Sequence, residues 1–329
     1  MEMLSRRVRI PRLLLLVFSI IVVFFVLRAL LKVSFGLRTE SGEISILTYN
    51  IWYSSEKMEE RIEALGQVVQ DLQPDFLVFQ EVSLVNLPLL EKQHWLLGYH
   101  LIPPKVNTVK LITTSKSCAV IFSRYSAVDN WQIYLYEHFA KYRRALVGAE
   151  VKDIVPSKDV KLVLAGTHLA HDVPRALVRE EQLKEAMNLL TPYENVCLMG
   201  DLNILDEVDG ELVLTSPWID AWLSIPGHTH SKGYTISQNM SPFASVRRRN
   251  GTSLGRLDRI LCKLSDFKVK EVRVVGNKLT KSGILPSDHF GVFAVIKPIA
   301  NTNKPRKTTK TKDQVYFNRP PGWEKLIKN

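Results

Sequence analysis

The chain has 329 residues, of which 46% are hydrophobic and 23% are charged, and this globular composition excludes collagen-like, coiled-coil and wholly disordered chains. The length allows one large α/β enzyme domain and does not require two. The net charge of +11 belongs to the two ends: residues 1–40 hold seven Lys/Arg against two Asp/Glu, residues 301–329 hold eight against two, and residues 41–300 are neutral.

An apolar segment at 13–27 (LLLLVFSIIVVFFVL) follows a basic stretch with four arginines. Fifteen residues are short for a helix across a hydrocarbon core of about 30 Å, but snorkelling of Arg28 and Lys32 lets the buried part extend to residue 35. We predict a hydrophobic N-terminal helix at 13–35, a single-pass signal-anchor with a cytosolic N-terminus. The alternatives are a cleaved signal peptide, an organelle-targeting helix and a buried helix. The expected location is a membrane, or the nucleus if the segment is not inserted.

The central part predicts alternating strands and helices. A strand ends at Asn50, an amphipathic helix is closed by Pro74, and a strand covers 76–79. Further predicted strands cover 118–122, 146–151, 162–167, 196–199, 256–262, 267–275 and 291–296, and a further helix covers about 175–190. Several strands are joined by connections too short for a helical crossover, which favours mixed sheets over a purely parallel sheet.

We predict that polar residues stand at the C-terminal edges of these apolar strands. They are Asn50, Glu81, His168, Asp201 with Asn203, Asp258, and Asp288 with His289. Carboxylates buried together raise one another's pKa, and a divalent cation removes that penalty. Oxygen ligands favour magnesium, with manganese as the alternative, over zinc. Each residue alone also has a structural interpretation as a turn residue, a helix cap or the partner of an arginine.

Six segments resemble motifs of the endonuclease/exonuclease/phosphatase superfamily. They are TYNIW (48–52), DFLVFQEV (75–82), GTHLA (166–170), MGDLNI (199–204), GRLDRI (255–260) and PSDHFGVF (286–293), in the order of that superfamily. The chain most resembles the tyrosyl-DNA phosphodiesterase 2 branch, through WIDAW (218–222), GYT (233–235) and the run from RLDRILCKLSDFKVKEV to LPSDHFG. The resemblance implies a DNase I-like α/β fold, a four-layer α/β/β/α sandwich over 41–300, and magnesium-dependent cleavage of a phosphodiester.

The resemblance also implies the roles of the metal and water sites. Glu81 is expected to be the principal metal ligand, with Asn50 and Asp288 close to the metal. Asp201 is expected to hold or deprotonate the attacking water, and Asn203 to orient that water and the phosphate. In-line attack needs a deprotonated water and neutralised charge on the non-bridging oxygens, and these groups supply both.

The histidines of the motifs are expected to donate to the substrate. The resemblance implies that His289 donates to the phosphoryl oxygens in the transition state, with Asp258 or Asp288 fixing its ring. His168 is expected to be a second donor near the phosphate or the leaving oxygen.

The substrate-binding predictions fall where the resemblance weakens. His171 follows Ala170 where the branch has Glu-Ser after THL, so imidazole replaces a phosphate-side contact. Tyr234 and Thr235 are followed by Ile236, where animal members have a tryptophan that lines the DNA path. Stacking of a base on an aromatic ring is worth about 1–3 kcal/mol, which Ile236 does not supply.

A run of three cations precedes the Asp258 strand. These are Arg247, Arg248 and Arg249, which we predict to meet a polyanionic substrate, with a solvated loop as the alternative. The basic tail at 301–329 is predicted to be largely disordered, because it has little apolar surface to bury. It could bind anionic lipid or nucleic acid, act as a nuclear address, or only solubilise the chain.

The remaining aromatic and sulfur residues favour a core. Cys118, Cys197 and Cys262 have neither zinc-site nor disulfide spacing, so we interpret them as buried thiols without a disulfide partner. Trp218 and Trp222 are four residues apart, which favours core packing over platforms for bases.

Three functions are compatible with the sequence. The leading hypothesis is a metal-dependent phosphodiesterase that acts on a 5′-phosphotyrosyl or other 5′-linked nucleic-acid end, as a monomer. The second is a membrane-anchored lipid or phosphate-ester phosphodiesterase of sphingomyelinase or inositol-phosphatase type, which the apolar segment and the neutral central part favour. The third is a non-catalytic anchored binding module, which the complete set of catalytic positions disfavours.

Overall fold

The computed structural model describes residues 42–125, 130–137, 144–152, 154–155, 159–171, 175–237, 254–280, 283–299 and 314–319. The predicted hydrophobic helix at 13–35 and the arginine run at 247–249 lie outside these residues. No helix within the described ranges is long and apolar enough to cross a membrane.

Two six-stranded sheets form the centre of the fold. The first has the order β14-β15-β1-β2-β4-β3 and contains β1 (Ile44–Asn50), β2 (Phe76–Val82), β3 (His100–Ile102), β4 (Cys118–Ser123), β14 (Phe267–Val275) and β15 (Gly291–Pro298). The second has the order β10-β13-β8-β7-β6-β5 and contains β5 (Asn130–Leu135), β6 (Ala145–Val151), β7 (Leu162–His168), β8 (Asn195–Asp201), β10 (Trp218–Asp220) and β13 (Asp258–Leu264). The pairs β1–β2 and β7–β8 are parallel and the other pairs within these two sheets are antiparallel, so the prediction of mixed sheets is confirmed. Outside these sheets, β11 (Ile236–Ser237) pairs antiparallel with β12 (Leu254–Gly255).

Helices cover the outer faces of both sheets. They are α1 (Met58–Leu72), α2 (Leu87–Glu91), α3 (Lys105–Ser115), α4 (Ala176–Leu189) and α5 (Asp206–Asp209), with 3₁₀ turns at His94–Leu96 and His230–Lys232. The apolar face of α1 joins the core of the first sheet through Leu65 and Val69. Leu183 and Met187 of α4 pack in one cluster with Val196 and Leu198 of β8. The order of layers is α/β/β/α, as the resemblance implies.

The two sheets approach closely because small residues stand between them. Successive side chains of a strand point to opposite faces, and on β8 Cys197 and Met199 belong to the core shared with the first sheet. On β7, a Cβ added to Gly166 would lie 2.6 Å from Cγ1 of Val78 on β2. This contact leaves no room for a side chain at position 166.

The tryptophans and cysteines lie in the core. Trp218 and Trp222 are 2% and 8% exposed, which confirms core packing rather than a platform for bases. Cys118, Cys197 and Cys262 are free and buried, which confirms their interpretation as buried thiols.

Residues 314–319 of the basic tail are ordered, whereas the rest of the tail, which we predict to be largely disordered, lies outside the described residues. Val315–Asn318 form β16, which pairs antiparallel with β9 (Glu211–Leu214). Val315 and Phe317 are buried in the cluster that includes α4, and Trp218 Nε1 donates to Gln314 Oε1 at 2.6 Å. The basic composition around this short segment hides its alternation of apolar and polar residues, which is the pattern of an edge strand with one buried face.

We expect the end of the chain to contribute to stability. Phe317→Ala should lower the free energy of unfolding by about 2–4 kcal/mol, since it removes a buried ring and leaves a cavity. Tyr316→Ala, one residue earlier and 50% exposed, should cost less than about 1 kcal/mol. Urea unfolding of the full-length variants measures both, and equal losses would show that β16 does not pack as described.

Gly200 on β8 should not tolerate a side chain. Its φ is +144°, and an added Cβ would lie 1.9 Å from the carbonyl oxygen of Thr167 on the neighbouring strand. Gly200→Ala should therefore cost more than about 2 kcal/mol through backbone strain. Gly148→Ala on β6 is the matched control, because a Cβ there meets no atom within 4 Å. Thermal unfolding compares the two variants, and a normal melting temperature for Gly200→Ala would refute the assigned backbone.

Candidate active site

The strand register brings three of the predicted residues into one row on the second sheet. The parallel pairing of β7 and β8 sets His168 beside Asp201, and the antiparallel pairing of β13 sets Asp258 on the other side of Asp201. His168 and Asp201 end their strands, as predicted. The predicted C-terminal position is wrong for Asp258, which begins the antiparallel strand β13, and for His289, which precedes β15. Asn50 and Glu81 come from β1 and β2 of the first sheet.

The Asp201 carboxylate lies at the centre of the site, in contact with side chains from both sheets. Its Oδ2 accepts a hydrogen bond from Asn50 Nδ2 at 2.9 Å, and lies 3.3 Å from His168 Nε2 and 3.8 Å from His289 Nε2. Its Oδ1 accepts from the backbone N–H of Asn203 at 2.9 Å. Asp201 is 1% exposed, so these partners replace water around the charge.

Glu81 reaches the site through an irregularity in β2. The pairing of β2 with β4 shifts between Phe79 and Val82, and Glu81 has a φ of +62°. Such a bulge re-aims a side chain. Glu81 Oε1 accepts from Asn50 Nδ2 at 3.2 Å, and Oε2 accepts from the backbone N–H of Tyr53 at 2.9 Å.

His289 and Asp258 form a buried pair. His289 Nδ1 lies 2.8 Å from Asp258 Oδ2. Burial lowers the pKa of His289, but the negative charges of Asp258, Asp201 and Asp288 outweigh this effect and raise the pKa to about 10. The imidazole is therefore protonated at neutral pH, with Nδ1–H donated to Asp258 and Nε2–H directed toward Asp201.

Thr235 of the GYT segment bonds to the backbone next to both His289 and Asp258. Its Oγ1 accepts from the backbone N–H groups of Leu257 and Asp258, both at 3.1 Å. Its carbonyl oxygen accepts from the backbone N–H of Phe290 at 2.7 Å. Thr235 thus fixes the backbone at the start of β13 and next to His289.

Arg144 is a site residue that the sequence analysis missed. Its Nη1 lies 3.0 Å from His168 Nδ1, and its Nη2 lies 3.3 Å from His171 Nδ1. Since a guanidinium only donates, His168 Nδ1 accepts, and the proton of this imidazole is on Nε2, which faces Asp201. The pairing of Leu146 with Thr167 brings the start of β6 to the end of β7. Arg144 was recognisable only from that strand pairing.

The remaining predicted residues lie around this group. Asn203 has a φ of +53°, and its Nδ2 donates to the carbonyl oxygen of Leu169 at 3.3 Å. Asp288 is 1% exposed, and its Oδ1 accepts from Ser287 Oγ at 3.2 Å. Tyr234 is half-buried next to Thr235.

The residues at the edge of the first sheet offer oxygen ligands for a divalent cation. Asn50 Nδ2 lies between a carboxylate oxygen of Glu81 and one of Asp201, so oxygens from both sheets converge there. A hard cation with oxygen ligands matches this set. A second group, Asp201, Asp258 and His289, has ligand atoms within 4.8 Å of one another. An ion bound there would displace a proton from the imidazole, because only the neutral ring nitrogen is a ligand.

Comparisons with known proteins agree with this arrangement. The model of the Endonuclease/Exonuclease/phosphatase family matches residues 47–289. Among solved structures, TDP2 from C. elegans is 20% identical, with 78% of this chain and 75% of that chain covered and a TM-score of 0.62. TDP2 from D. rerio, complexed with single strand DNA product, is 20% identical, with 78% and 99% covered and a TM-score of 0.63.

The catalytic domain of human Nocturnin with bound sulfate anion is 18% identical, with 78% of this chain and 95% of that chain covered and a TM-score of 0.55. At these identities the similarity shows the fold. No curated protein sequence matches the chain.

We expect Asp258→Asn to lower the pKa of His289 toward its ordinary value of 6.5, because the variant removes the nearest negative charge. In the unaltered protein the folded-state pKa is raised, so the charged ring stabilises the fold fully below about pH 6.5, and this contribution is lost as the pH rises through about 10. NMR titration of the imidazole in metal-free protein measures the change. Glu207→Gln, at an exposed position, should leave the pKa unchanged. An unchanged pKa in Asp258→Asn would exclude Asp258 as the cause.

Proposed function

Because the chain belongs to the Endonuclease/Exonuclease/phosphatase family, whose members hydrolyse phosphoester bonds, we propose that it is a magnesium-dependent phosphodiesterase acting on the 5′ end of a nucleic acid. The assignment as a hydrolase is thereby confirmed at the level of the family. The observation that carries the proposal is the convergence of Asn50, Glu81 and Asp201 from two sheets, with the protonated His289 beside them.

The choice of a nucleic-acid substrate has one line of support from the structural comparison. TDP2 from D. rerio, which shares the fold, was crystallised with a single strand DNA product. We propose a 5′-phosphotyrosyl or similarly linked DNA end as the substrate, in line with the GYT and WIDAW segments. The absence of the tryptophan after Thr235, where Ile236 stands, predicts weaker stacking on the bases than in that branch.

In the proposed reaction, Asp201 accepts a proton of the attacking water, the water oxygen forms a bond to phosphorus, and the bond between phosphorus and the leaving oxygen breaks, so that this oxygen departs with the bonding electrons. Oδ1 of Asp201 accepts from the amide of Asn203 and Oδ2 accepts from Asn50 Nδ2, so the carboxylate is held in one orientation. His289 donates a hydrogen bond from Nε2 to a phosphoryl oxygen as negative charge develops there, and Asp258 stabilises the charged ring. His168 presents a second N–H, held in this tautomer by Arg144.

Magnesium bound by Glu81 and Asn50, with Asp288 nearby, would neutralise charge on the non-bridging oxygens. Manganese is the alternative ion with the same oxygen preference. The carboxylates at this edge supply the negative charge that attracts either cation.

We also propose that the apolar segment at 13–35 anchors the protein to a membrane, on its sequence pattern alone. An anchored enzyme would meet lipid phosphodiesters as well as nucleic acids. Lipid is therefore one arm of the test below.

We expect the full-length protein with magnesium to release 5′-phosphorylated DNA from a 5′-tyrosyl oligonucleotide, and not to hydrolyse abasic DNA, oligo(A) or sphingomyelin at a comparable rate. Glu81→Gln removes the ligand charge and should lower kcat/KM by about 100-fold or more. Glu59→Gln, at an exposed position of α1, is the matched control and should retain full activity. Turnover of each substrate, with and without magnesium, gives the measurement.

Hydrolysis of sphingomyelin in vesicles without activity on DNA would replace the nucleic-acid proposal with the lipid alternative. Full activity of Glu81→Gln would refute the metal site. Binding of DNA without hydrolysis of any of the four substrates would favour the non-catalytic module.

A further inference from the structure

Arg61 of α1 is a buried cation whose side chain donates hydrogen bonds to a single loop. It is 1% exposed, and Nε donates to the carbonyl oxygen of Glu56 at 2.8 Å. Its Nη1 donates to the carbonyl oxygens of Ile51 and Trp52 at 2.9 and 3.2 Å, and Nη2 donates to that of Ser54 at 2.5 Å. The loop between β1 and α1 therefore wraps around a single guanidinium.

The other side of the same loop faces the candidate metal site. The backbone N–H of Trp52 donates to Asn50 Oδ1 at 3.0 Å, and that of Tyr53 donates to Glu81 Oε2 at 2.9 Å. Carbonyl oxygens of this loop thus point to Arg61, while consecutive N–H groups point to the two side chains expected to hold the ion.

The loop needs to be held in this shape. Trp52 has a φ of +55°, a left-handed conformation that costs a non-glycine residue about 1–3 kcal/mol unless its surroundings hold it. The Arg61 guanidinium stacks over the Trp52 ring at 4.7 Å from the centroid, in addition to its hydrogen bond to the Trp52 carbonyl oxygen. Both contacts stabilise the strained residue.

The charge of Arg61 acts on the same site. Burial lowers the pKa of Arg61, and the negative charges of Asp288, Glu56 and Glu81 oppose this effect. An apolar residue at this position could fill the space, but it would satisfy none of the four carbonyl oxygens.

We propose that Arg61 is a positioning residue for the metal site: it fixes the loop at 51–56, so that the N–H groups of Trp52 and Tyr53 orient Asn50 and Glu81 toward the ion. Groups that orient metal ligands typically change metal affinity by about 10- to 100-fold when they are removed. The part of the inference that concerns magnesium rests on the proposed function, whereas the part that concerns the loop does not.

The test uses three full-length variants. Arg61→Lys keeps the charge but cannot reach four carbonyl oxygens from one ammonium. Arg61→Gln removes the charge as well. Val69→Ala, which truncates a buried side chain of the same helix, is the control for general destabilisation.

Two measurements are made on each variant. Both Arg61 variants should weaken the magnesium Kd by about tenfold or more in calorimetric titration. In metal-free protein, both should exchange the amide protons of Trp52 and Tyr53 about tenfold faster than the unaltered protein, relative to amides of β1. Val69→Ala should lower the melting temperature and leave both quantities unchanged.

Distinct outcomes overturn the inference. If Arg61→Lys matches the unaltered protein while Arg61→Gln binds magnesium more tightly, Arg61 acts by its charge alone. If the Arg61 variants lose stability but keep both the Kd and the exchange rates, or if Arg61→Lys does not fold, its role is structural. No magnesium uptake by the unaltered protein would refute the proposed function, and faster exchange in the Arg61 variants would still support the role of Arg61 in the loop.

Discussion

The need to compensate negative charge at one buried edge shapes this protein. Asp201 and Asp258 are each 1% exposed, and Glu81 is 4% exposed. Carboxylates that are this close together and excluded from water remain charged only if hydrogen-bond donors or cations face them. Backbone N–H groups, the protonated His289 and the guanidinium groups of Arg61 and Arg144 supply that compensation in the protein itself. Next to Asn50, where oxygens of Glu81 and Asp201 converge, a bound cation would complete this charge compensation.

The topology explains why the site is at this edge. Each six-stranded sheet has one parallel pair, and each pair delivers two site residues at its carboxyl end: Asn50 and Glu81 from β1 and β2, and His168 and Asp201 from β7 and β8. Because the two sheets pack face to face over small residues such as Gly166, the two ends meet. Two residues with positive φ, Glu81 and Asn203, lie at this junction, where backbone strain is retained for the geometry of a site.

Much of this arrangement could be predicted from the sequence, because each motif joins a buried strand to a polar residue at one of its ends. Asn50, Glu81, His168 and Asp201 lie at the ends of their strands, whereas Asp258 begins β13 and His289 precedes β15. The layers followed from the resemblance that the same motifs carry. The roles of Arg144 and Arg61 could not be predicted, because both stand among other charged residues in the sequence. Arg144 reaches the site through the pairing of β6 with β7, and Arg61 through the shape of the loop that its guanidinium binds. The strand Val315–Asn318 was missed because its four residues carry too short a pattern to stand out from a basic tail.

The position of β1 has a consequence for the synthesis of the protein. In the first sheet β1 lies between β2, which follows it closely, and β15, which ends at Pro298. A chain emerging from the ribosome therefore carries a strand with one open edge until the residues of β15 have been translated. His289 lies just before β15 and is translated with it. A chain that terminates before His289 thus lacks both β15 and the proposed donor. The chain therefore gains its catalytic histidine only when it can also complete the first sheet.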